Sequence, residues 1–451
     1  MLNNPDKILV ESVKRLLRRD ATTRLRKIVK KTHAADLSLV FHSLSIPNQR
    51  RLFNLIDEIE IKGEIFSNVD EDTFLNLIEG MKLDEMVEIL DLMPKDDVAD
   101  LLGHLPVEKS DAILELMKKE SSEEVEGLLH YGDDTAGGIM VPDFIALRED
   151  TTAREAIESL QEEHLDVEMP FYLYVVDSNG KLIGVSSLRQ LVVVPPTTPL
   201  KDFMTTDVFA VKTDMDQEEV AKIVARYDIL AVPVVNDTNQ LVGIVTVDDV
   251  IDIIREEATE DILKMAGVGG DEFVETQSVI RSTRIRLPWL SASFIGGIVA
   301  FFIIGHFEGS LKKVAYLAAF IPVIMGMGGN IGTQTSTIVV RGLATGRLNI
   351  RDTWQVVFKE LMVGFILGAV YGVMIGMVAQ LRYSTAMVAV SVGIAVTSSM
   401  IVAALVGSIV PMGFARINVD PAVATGPFVT TAIDIVSVYF YFQIATILLG
   451  I

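Results

Sequence analysis

Asp434 is the one charged side chain in residues 421–451, a stretch long enough to span a bilayer. An ionised carboxylate at that depth costs roughly 2.5–3.5 kcal/mol on insertion scales, so it is expected on a polar path or paired with a base. Thr430, Thr431 and Ser437 stand three or four residues away and are expected on its helical face. No Lys or Arg falls within the apolar part of any span, so the expected role is to meet a cation or a proton on a water-filled path.

A second set of carboxylates lies outside the apolar segments. Residues 248–261 read DDVIDIIREEATED, in which Asp248, Asp249, Asp252, Glu256, Glu257, Glu260 and Asp261 face Arg255 alone. Ile254, Ala258 and Ile262 recur every four residues, which predicts a helix with a thin apolar stripe. Upstream stand Asp214, Asp216, Glu218, Glu219 and Asp228, and further upstream Asp96, Asp97 and Asp100. Charge runs of this kind often serve as solvated faces. They also fit surfaces that close only when divalent cations neutralise them. Carboxylate with water suits Mg2+ or Ca2+, whereas a chain with no cysteine and six histidines disfavours Zn2+ or Cu+. No disulfide is possible.

A third chemistry-bearing segment, residues 322–336, reads PVIMGMGGNIGTQTS. Its glycines allow close helix approach or exposed carbonyls, and Asn330, Thr333 and Gln334 can bond water or one another. By contrast Gly364, Gly368, Gly372 and Gly376 fall every four residues and predict a packing seam without chemistry.

Charge divides the elements that carry these residues. The 451-residue chain has net charge −22, but residues 285–451 hold five acids against nine bases. Residues 1–284 therefore form an acidic soluble part, for which no nucleic-acid partner is expected, and the rest a membrane domain. Five apolar segments are predicted to span, at about 287–307, 314–340, 361–381, 383–415 and 421–451. No second acid falls inside those limits, which argues against coupled transport. Arg281, Arg284, Arg286, Arg341, Arg347, Arg351, Lys359 and Arg416 flank one side, and only Lys312, Lys313 and Arg382 the other. The positive-inside rule then puts the soluble part in the cytoplasm and the C-terminus outside. No secretory signal is read at the N-terminus.

Within residues 1–137, Pro47, Pro94 and Pro106 open amphipathic patterns, predicting an array of short helices in a curved stack. Residues 138–254 repeat one pattern twice, from Met140 and from Met204. Each copy runs strand, helix, hairpin, helix, with turns at 177–180 and 236–239. This duplication resembles a tandem pair of CBS (cystathionine β-synthase type) domains, which sense ligands and often bind adenine nucleotides. The resemblance implies a ribose contact at Thr246 and Asp249 of the second copy; the first departs, with Gln190 at the equivalent place. Asp249 equally suits a metal. Residues 255–284 join this pair to the membrane. They include a break at Gly267-Val268-Gly269-Gly270 and a predicted short basic helix over 275–286.

Taken in order, these segments resemble the MgtE family of magnesium channels over essentially the whole chain. The resemblance implies a multidomain α plus α/β architecture: a cytoplasmic helical superhelix, the CBS pair, an acidic connecting (plug) helix and an all-α domain of five transmembrane helices. It implies a homodimer in the plasma membrane, with Asp434 binding Mg2+ in a pore lined by the second and fifth spans. Gly328, Asn330, Ala424 and Thr425 are candidates for its outer shell. Sensor Mg2+ is expected at Asp96, Asp97, Asp100, Asp216, Glu218, Asp228, Asp249, Asp252, Glu257, Glu260, Asp261 and Asp420. Asp420 matches an acid that meets the connecting helix when the gate is shut. Where the family shows glutamate, position 261 is aspartate. Mg2+ and an adenine nucleotide such as ATP are the implied ligands. A coupled carrier of Mg2+, Mn2+ or Co2+ and a membrane-anchored nucleotide sensor are the alternatives. No HExxH, GxSxG or serine–lysine motif within the spans points to an enzyme.

Overall fold

The structure is a computed structural model that describes residues 4–162, 171–268 and 279–450. It forms two compact units, Met1–Ile253 and Ile254–Ile451.

Among the described residues, the first unit opens with ten helices: α1 (Asn4–Arg18), α2 (Thr22–Val29), α3 (Ala34–His42), α4 (Ile46–Phe53), α5 (Ile59–Asn68), α6 (Glu71–Ile78), α7 (Leu83–Leu90), α8 (Lys95–Gly103), α9 (Val107–Leu114) and α10 (Lys119–Leu128). Pro47 sits in the first turn of α4, and Pro94 and Pro106 cap α8 and α9, where a missing N–H costs no helical bond. Asp70 caps α6 by accepting from the Thr73 N–H. Phe41, Phe53, Phe66 and Phe74, all fully buried, pack in sequence as edge-on and stacked rings through α3 to α6.

The duplicated segment follows. Its first copy is β1 (Ala146–Arg148), α11 (Ala153–Glu162), β2 (Tyr172–Val176), β3 (Leu182–Ser187) and α12 (Leu188–Val193). The second is β4 (Val211–Lys212), α13 (Gln217–Tyr227), β5 (Ala231–Val235), β6 (Leu241–Thr246) and α14 (Val247–Met265). Each sheet has three strands, a parallel pair followed by an antiparallel hairpin. The predicted turns are made by left-handed residues, Gly180 (φ 77°) and Asn239 (φ 60°). One hydrophobic core runs from α1 into the second copy, taking in Val211, Val220, Val232, Val245, Val250 and Ile253. The first copy keeps its own small core.

The second unit holds α15 (Val279–His306), α16 (Glu308–Lys313), α17 (Ile321–Ala344), α18 (Thr353–Tyr383), α19 (Ala386–Arg416), α20 (Pro421–Thr425) and α21 (Pro427–Leu449). Five of its segments are long and apolar enough to cross a membrane, at Ser282–His306, Ala315–Ala344, Ile350–Tyr383, Ala386–Arg416 and Pro427–Leu449. Three expectations change here. The short basic helix expected before the first span is absorbed, from residue 279 on, into α15, which continues through Pro288; residues 269–278 lie outside the described residues. The third span begins earlier than expected and takes in Glu360. The last span is divided at Gly426, because Pro427 has no N–H to continue α20 and starts a new helix instead.

The four-residue glycine seam of α18 is buried throughout. A Cβ at Gly368 would stand 3.0 Å from both Cα and the carbonyl oxygen of Thr397, and one at Gly376 would stand 2.9 Å from the Ala389 carbonyl oxygen. The seam brings the backbones of α18 and α19 together, as its spacing predicts.

Candidate ion path and regulatory acids

Asp434 projects from α21 and is half-buried. No Lys, Arg or His pairs with it among the described residues. Its carboxylate comes close to Gly329 of α17, where a Cβ would stand 4.0 Å from Oδ1. Gly328 next to it is buried, and a Cβ there would meet Ser437 Oγ at 2.9 Å and Ser399 Oγ at 3.2 Å. Small residues therefore let α17 lie against α21 beside the carboxylate.

The polar neighbours of Asp434 do not form the single stripe expected of them. Ser437 turns inward and is fully buried against Gly328, Thr431 packs against Gly296 of α15, and Thr430 donates to the Gly426 carbonyl at 3.2 Å. A step of three residues falls short of a full helical turn and a step of four overshoots it, enough to spread these side chains to neighbouring helices. The polar stripe belongs instead to α17. Asn330, Thr333, Gln334 and Thr337 are all exposed on that helix, at spacings of three and four residues. Ala424 and Thr425 lie in the short helix α20, whose Asp420 cap accepts from the Ala422 N–H at 2.8 Å.

Glu360 is the residue that sequence reasoning missed. It is 4% exposed within the third span, and Thr335 of α17 donates to its Oε2 at 3.2 Å. The third span thus holds two acids, Asp352 at its start and the buried Glu360, in addition to Asp434 in the last span. The signal for Glu360 was its place at the boundary of an apolar run, beside Lys359, whose exposed ammonium lies 3.9 Å from Oε1.

The connecting helix α14 ends against α20. Lys264 Nζ donates to Asp420 Oδ2 at 2.8 Å and pairs with Glu260 Oε1 at 2.6 Å. Burial works against the ammonium's charge, but the hydrogen bonds and charges of Asp420 and Glu260 outweigh it and raise its pKa. Behind this clasp the backbone approach is close. Gly267 adopts φ 74°, and a Cβ on it would lie 2.8 Å from Pro427 Cδ; a Cβ at Gly426 would lie 3.2 Å from the Lys264 carbonyl oxygen. Lys264, four residues beyond Glu260, was legible as an i,i+4 partner. Glu257 and Asp261 are half-buried on the same helix.

In the first unit α8 and the start of α14 bring three acids together. Asp249 is pushed up to about 6, chiefly by burial; the Thr246 hydroxyl donates to it and opposes the shift, while Asp248 and Asp97 reinforce it. Asp97 is likewise raised by burial, against a hydrogen bond from Ser67 and with the charge of Asp248 adding to it. Asp248, on this helix but absent from the expected site residues, is thus part of the cluster. Asp96 is buried, and Asp100 and Asp252 are exposed. Asp216 caps α13 by accepting from the Glu218 N–H at 2.9 Å, Glu218 pairs with Lys222 at 2.8 Å, and Asp228 ends that helix at φ 52°. Among the described residues no group of three His, Cys, Asp or Glu side chains is arranged to hold a metal by itself.

A cavity of about 480 Å³ in the CBS pair is lined by Phe171, Tyr172, Ser187, Arg189, Val192 and Leu230, among others, and Thr246 and Asp249 are not among its lining residues. Gln190 bonds the Ser187 N–H, closing the first turn of α12.

A unit with five membrane-length segments, in which a carboxylate without a basic partner among the described residues lies beside polar side chains of a neighbouring helix, fits the class of cation transport proteins. The comparisons with known proteins specify it further. The MgtE divalent cation transporter family matches residues 321–444, the MgtE intracellular N domain 32–134, and the CBS domain 136–194 and 200–256. The chain is 34% identical to the magnesium transporter MgtE of Thermus thermophilus over 98% of both chains. It is 33% identical to the magnesium transporter MgtE of Bacillus subtilis over 96% of this chain and 95% of that one. The crystal structure of the cytosolic domain of the Mg2+ channel MgtE in complex with ATP matches with a TM-score of 0.51 and 34% identity, over 54% of this chain and 99% of that one. The chain belongs to the MgtE family of divalent cation transporters and is not an enzyme.

Proposed function

We propose that this protein is a Mg2+-selective channel for passive uptake, working as a homodimer in the plasma membrane and closed by cytosolic Mg2+. The observation that carries the reading is Asp434: a half-buried carboxylate in a span, without a basic partner among the described residues, beside Gly329 of the helix that exposes Asn330, Thr333, Gln334 and Thr337. One carboxylate per chain is too few to strip a divalent ion of water. Two, from paired subunits, accept hydrogen bonds from a largely hydrated ion, the form in which Mg2+ is most readily held. Gly328, Asn330, Ala424 and Thr425 contribute the surrounding polar groups, and the exposed face of α17 turns to water or to the second subunit.

An inward membrane potential gives a divalent ion roughly 4.6 kcal/mol per 100 mV, so an open path needs no pump and requires a brake. The brake in this reading is the acid set. Mg2+ joins Asp97, Asp248 and Asp249, relieving their mutual repulsion, and the acids of α14, from Asp252 to Asp261, take further ions. The clasp between Lys264, Glu260 and Asp420 holds the end of the connecting helix against the α20–α21 break in the shut state. The soluble unit lies in the cytoplasm and the C-terminus outside. ATP or another adenine nucleotide tunes the brake; the ATP complex of the related cytosolic domain and the CBS cavity with Arg189 support this.

A coupled carrier of Mg2+ or another divalent is the second reading, and Glu360 favours it, since a second buried acid gives a proton somewhere to ride. Flux into vesicles containing the reconstituted protein, measured against internal Mg2+ with and without ATP, tests the choice. The channel reading expects flux that follows the Mg2+ gradient and potential, falls as internal Mg2+ rises, and ignores an imposed pH gradient. Flux driven by a pH gradient alone overturns it.

A further inference from the structure

The acidic soluble unit begins with a basic hairpin. Residues 1–31 contain ten Lys and Arg against three acids, a net of +7, whereas residues 32–284 carry −33. The reversal coincides with the start of the N-domain match at residue 32, so α1 and α2 precede that matched segment. Both helices fold onto the core through one face: Val10, Val13 and Leu17 from α1, and Leu25 and Val29 from α2, are buried. Their outer faces carry the charge. Lys7, Arg15, Arg18, Arg19, Arg24, Lys27 and Lys31 are exposed and Lys14 is half-exposed. None of these eight makes an ion pair among the described residues. Lys7, Lys14 and Arg18 recur at seven and four residues, on one side of α1. Ile8, 62% exposed, stands among them.

The neighbouring cavity is not the target of this charge. It is lined by Thr22, Thr23, Arg26, Lys27, Lys30, Asp57 and Glu58, and its own acids neutralise Arg26 and Lys30. The eight unpaired cations form a broad outward field with no socket. A field of that shape matches a laterally mobile, negatively charged surface better than a folded partner with fixed acids. A protein of five membrane spans always has such a surface tethered to it, at high effective concentration. We infer that the α1–α2 hairpin docks on the anionic phospholipid headgroups of the cytoplasmic leaflet, with Ile8 entering the headgroup layer. The inference rests on the cytoplasmic placement of the soluble unit and is independent of what the spans transport.

The chain has no cysteine, so a single label can be placed cleanly. The test uses the full chain carrying Thr23→Cys with a fluorophore, in nanodiscs of phosphatidylcholine or of phosphatidylcholine with about 30% phosphatidylglycerol, each with a headgroup-linked quencher. Quenching is expected to be greater in the anionic discs and to fall with added salt. Each cation removed is expected to weaken docking about five-fold, so the combined Lys7→Gln, Lys14→Gln, Arg15→Gln, Arg18→Gln variant loses the response. Hydrogen exchange of α1 and α2 in that variant checks that the hairpin still folds; should it not, Arg24→Gln with Lys27→Gln supplies the same comparison. Equal quenching in the two lipids overturns the inference, as does a response that survives neutralisation. Displacement by inorganic phosphate beyond that of chloride at equal ionic strength would assign the field to a soluble anion, and label-to-label contact between copies would assign it to a second chain. Both also overturn it.

Discussion

Asp249 offers the sharpest test of the acid cluster, because its environment ties proton, metal and stability together. A carboxyl raised from near 3.8 to about 6 withholds about 3 kcal/mol from the folded state once it ionises. The sign is set by proton count. Between pH 4 and 6 the native state holds a proton that the unfolded chain has released, so local stability falls as pH rises through that window and levels off above it. Asp249→Asn removes the penalty and keeps an oxygen to accept from Thr246. Without divalent cations, hydrogen exchange in α8 and the first turns of α14, corrected for intrinsic rates, is therefore expected to show wild-type protection declining from pH 4 to 6. The variant should be flat and, at pH 7, better protected by up to about 3 kcal/mol. Adding Mg2+ at pH 7 should restore wild-type protection and leave the variant little changed, and at pH 6 it should release protons from the wild type. Parallel pH profiles for the two proteins would refute the claim that burial and the charges of Asp248 and Asp97 act on this carboxyl. Equal Mg2+ responses would refute its place in the sensor.

Substitutions at two further positions probe the second unit. Lys264→Met removes the cation between Glu260 and Asp420; losing a half-exposed ion pair of about 1 kcal/mol should raise flux at zero internal Mg2+ about five-fold, and unchanged basal flux would remove the clasp from gating. Glu360→Ala leaves the buried Thr335 hydroxyl without its acceptor and is expected to cost about 1–3 kcal/mol in thermal stability, whereas Glu360→Gln should recover most of it. Equal losses in both variants would mean that the charge, rather than the acceptor, is what α17 requires.

Much of this architecture was legible because periodicity and punctuation speak locally. Pro47, Pro94 and Pro106 marked helix starts, the residues around Gly180 and Asn239 marked hairpins, and four glycines marked the α18–α19 seam. What hydropathy could not supply was where polar groups go once helices pack. The break at Gly426 depends on a proline's missing N–H inside an otherwise apolar run, which a window average hides. Ser437 reads as a pore residue from its spacing to Asp434, yet the absence of a side chain at Gly328 draws it inward. Glu360 sits where an apolar run meets its flanking charges, and only the position of Thr335 shows that it is buried. Among the acids, sequence located the helices but not the pairing. Asp216, Glu218 and Asp228 prove engaged in capping, an i,i+4 pair and a left-handed helix end, while Asp248 joins Asp97 and Asp249 across two helices far apart in sequence.

Recording Mg2+ currents from single molecules of wild type and Asp434→Asn in planar bilayers is the most direct measurement. Asparagine preserves size, removes the charge and replaces one acceptor oxygen with a donor amide. Unitary Mg2+ currents are expected in the wild type. In the variant the conductance should fall about ten-fold or more, which corresponds to losing about 1.4 kcal/mol or more of ion stabilisation. Unitary Mg2+ currents of undiminished size in a folded Asp434→Asn protein would contradict the assignment of this carboxylate to the ion path.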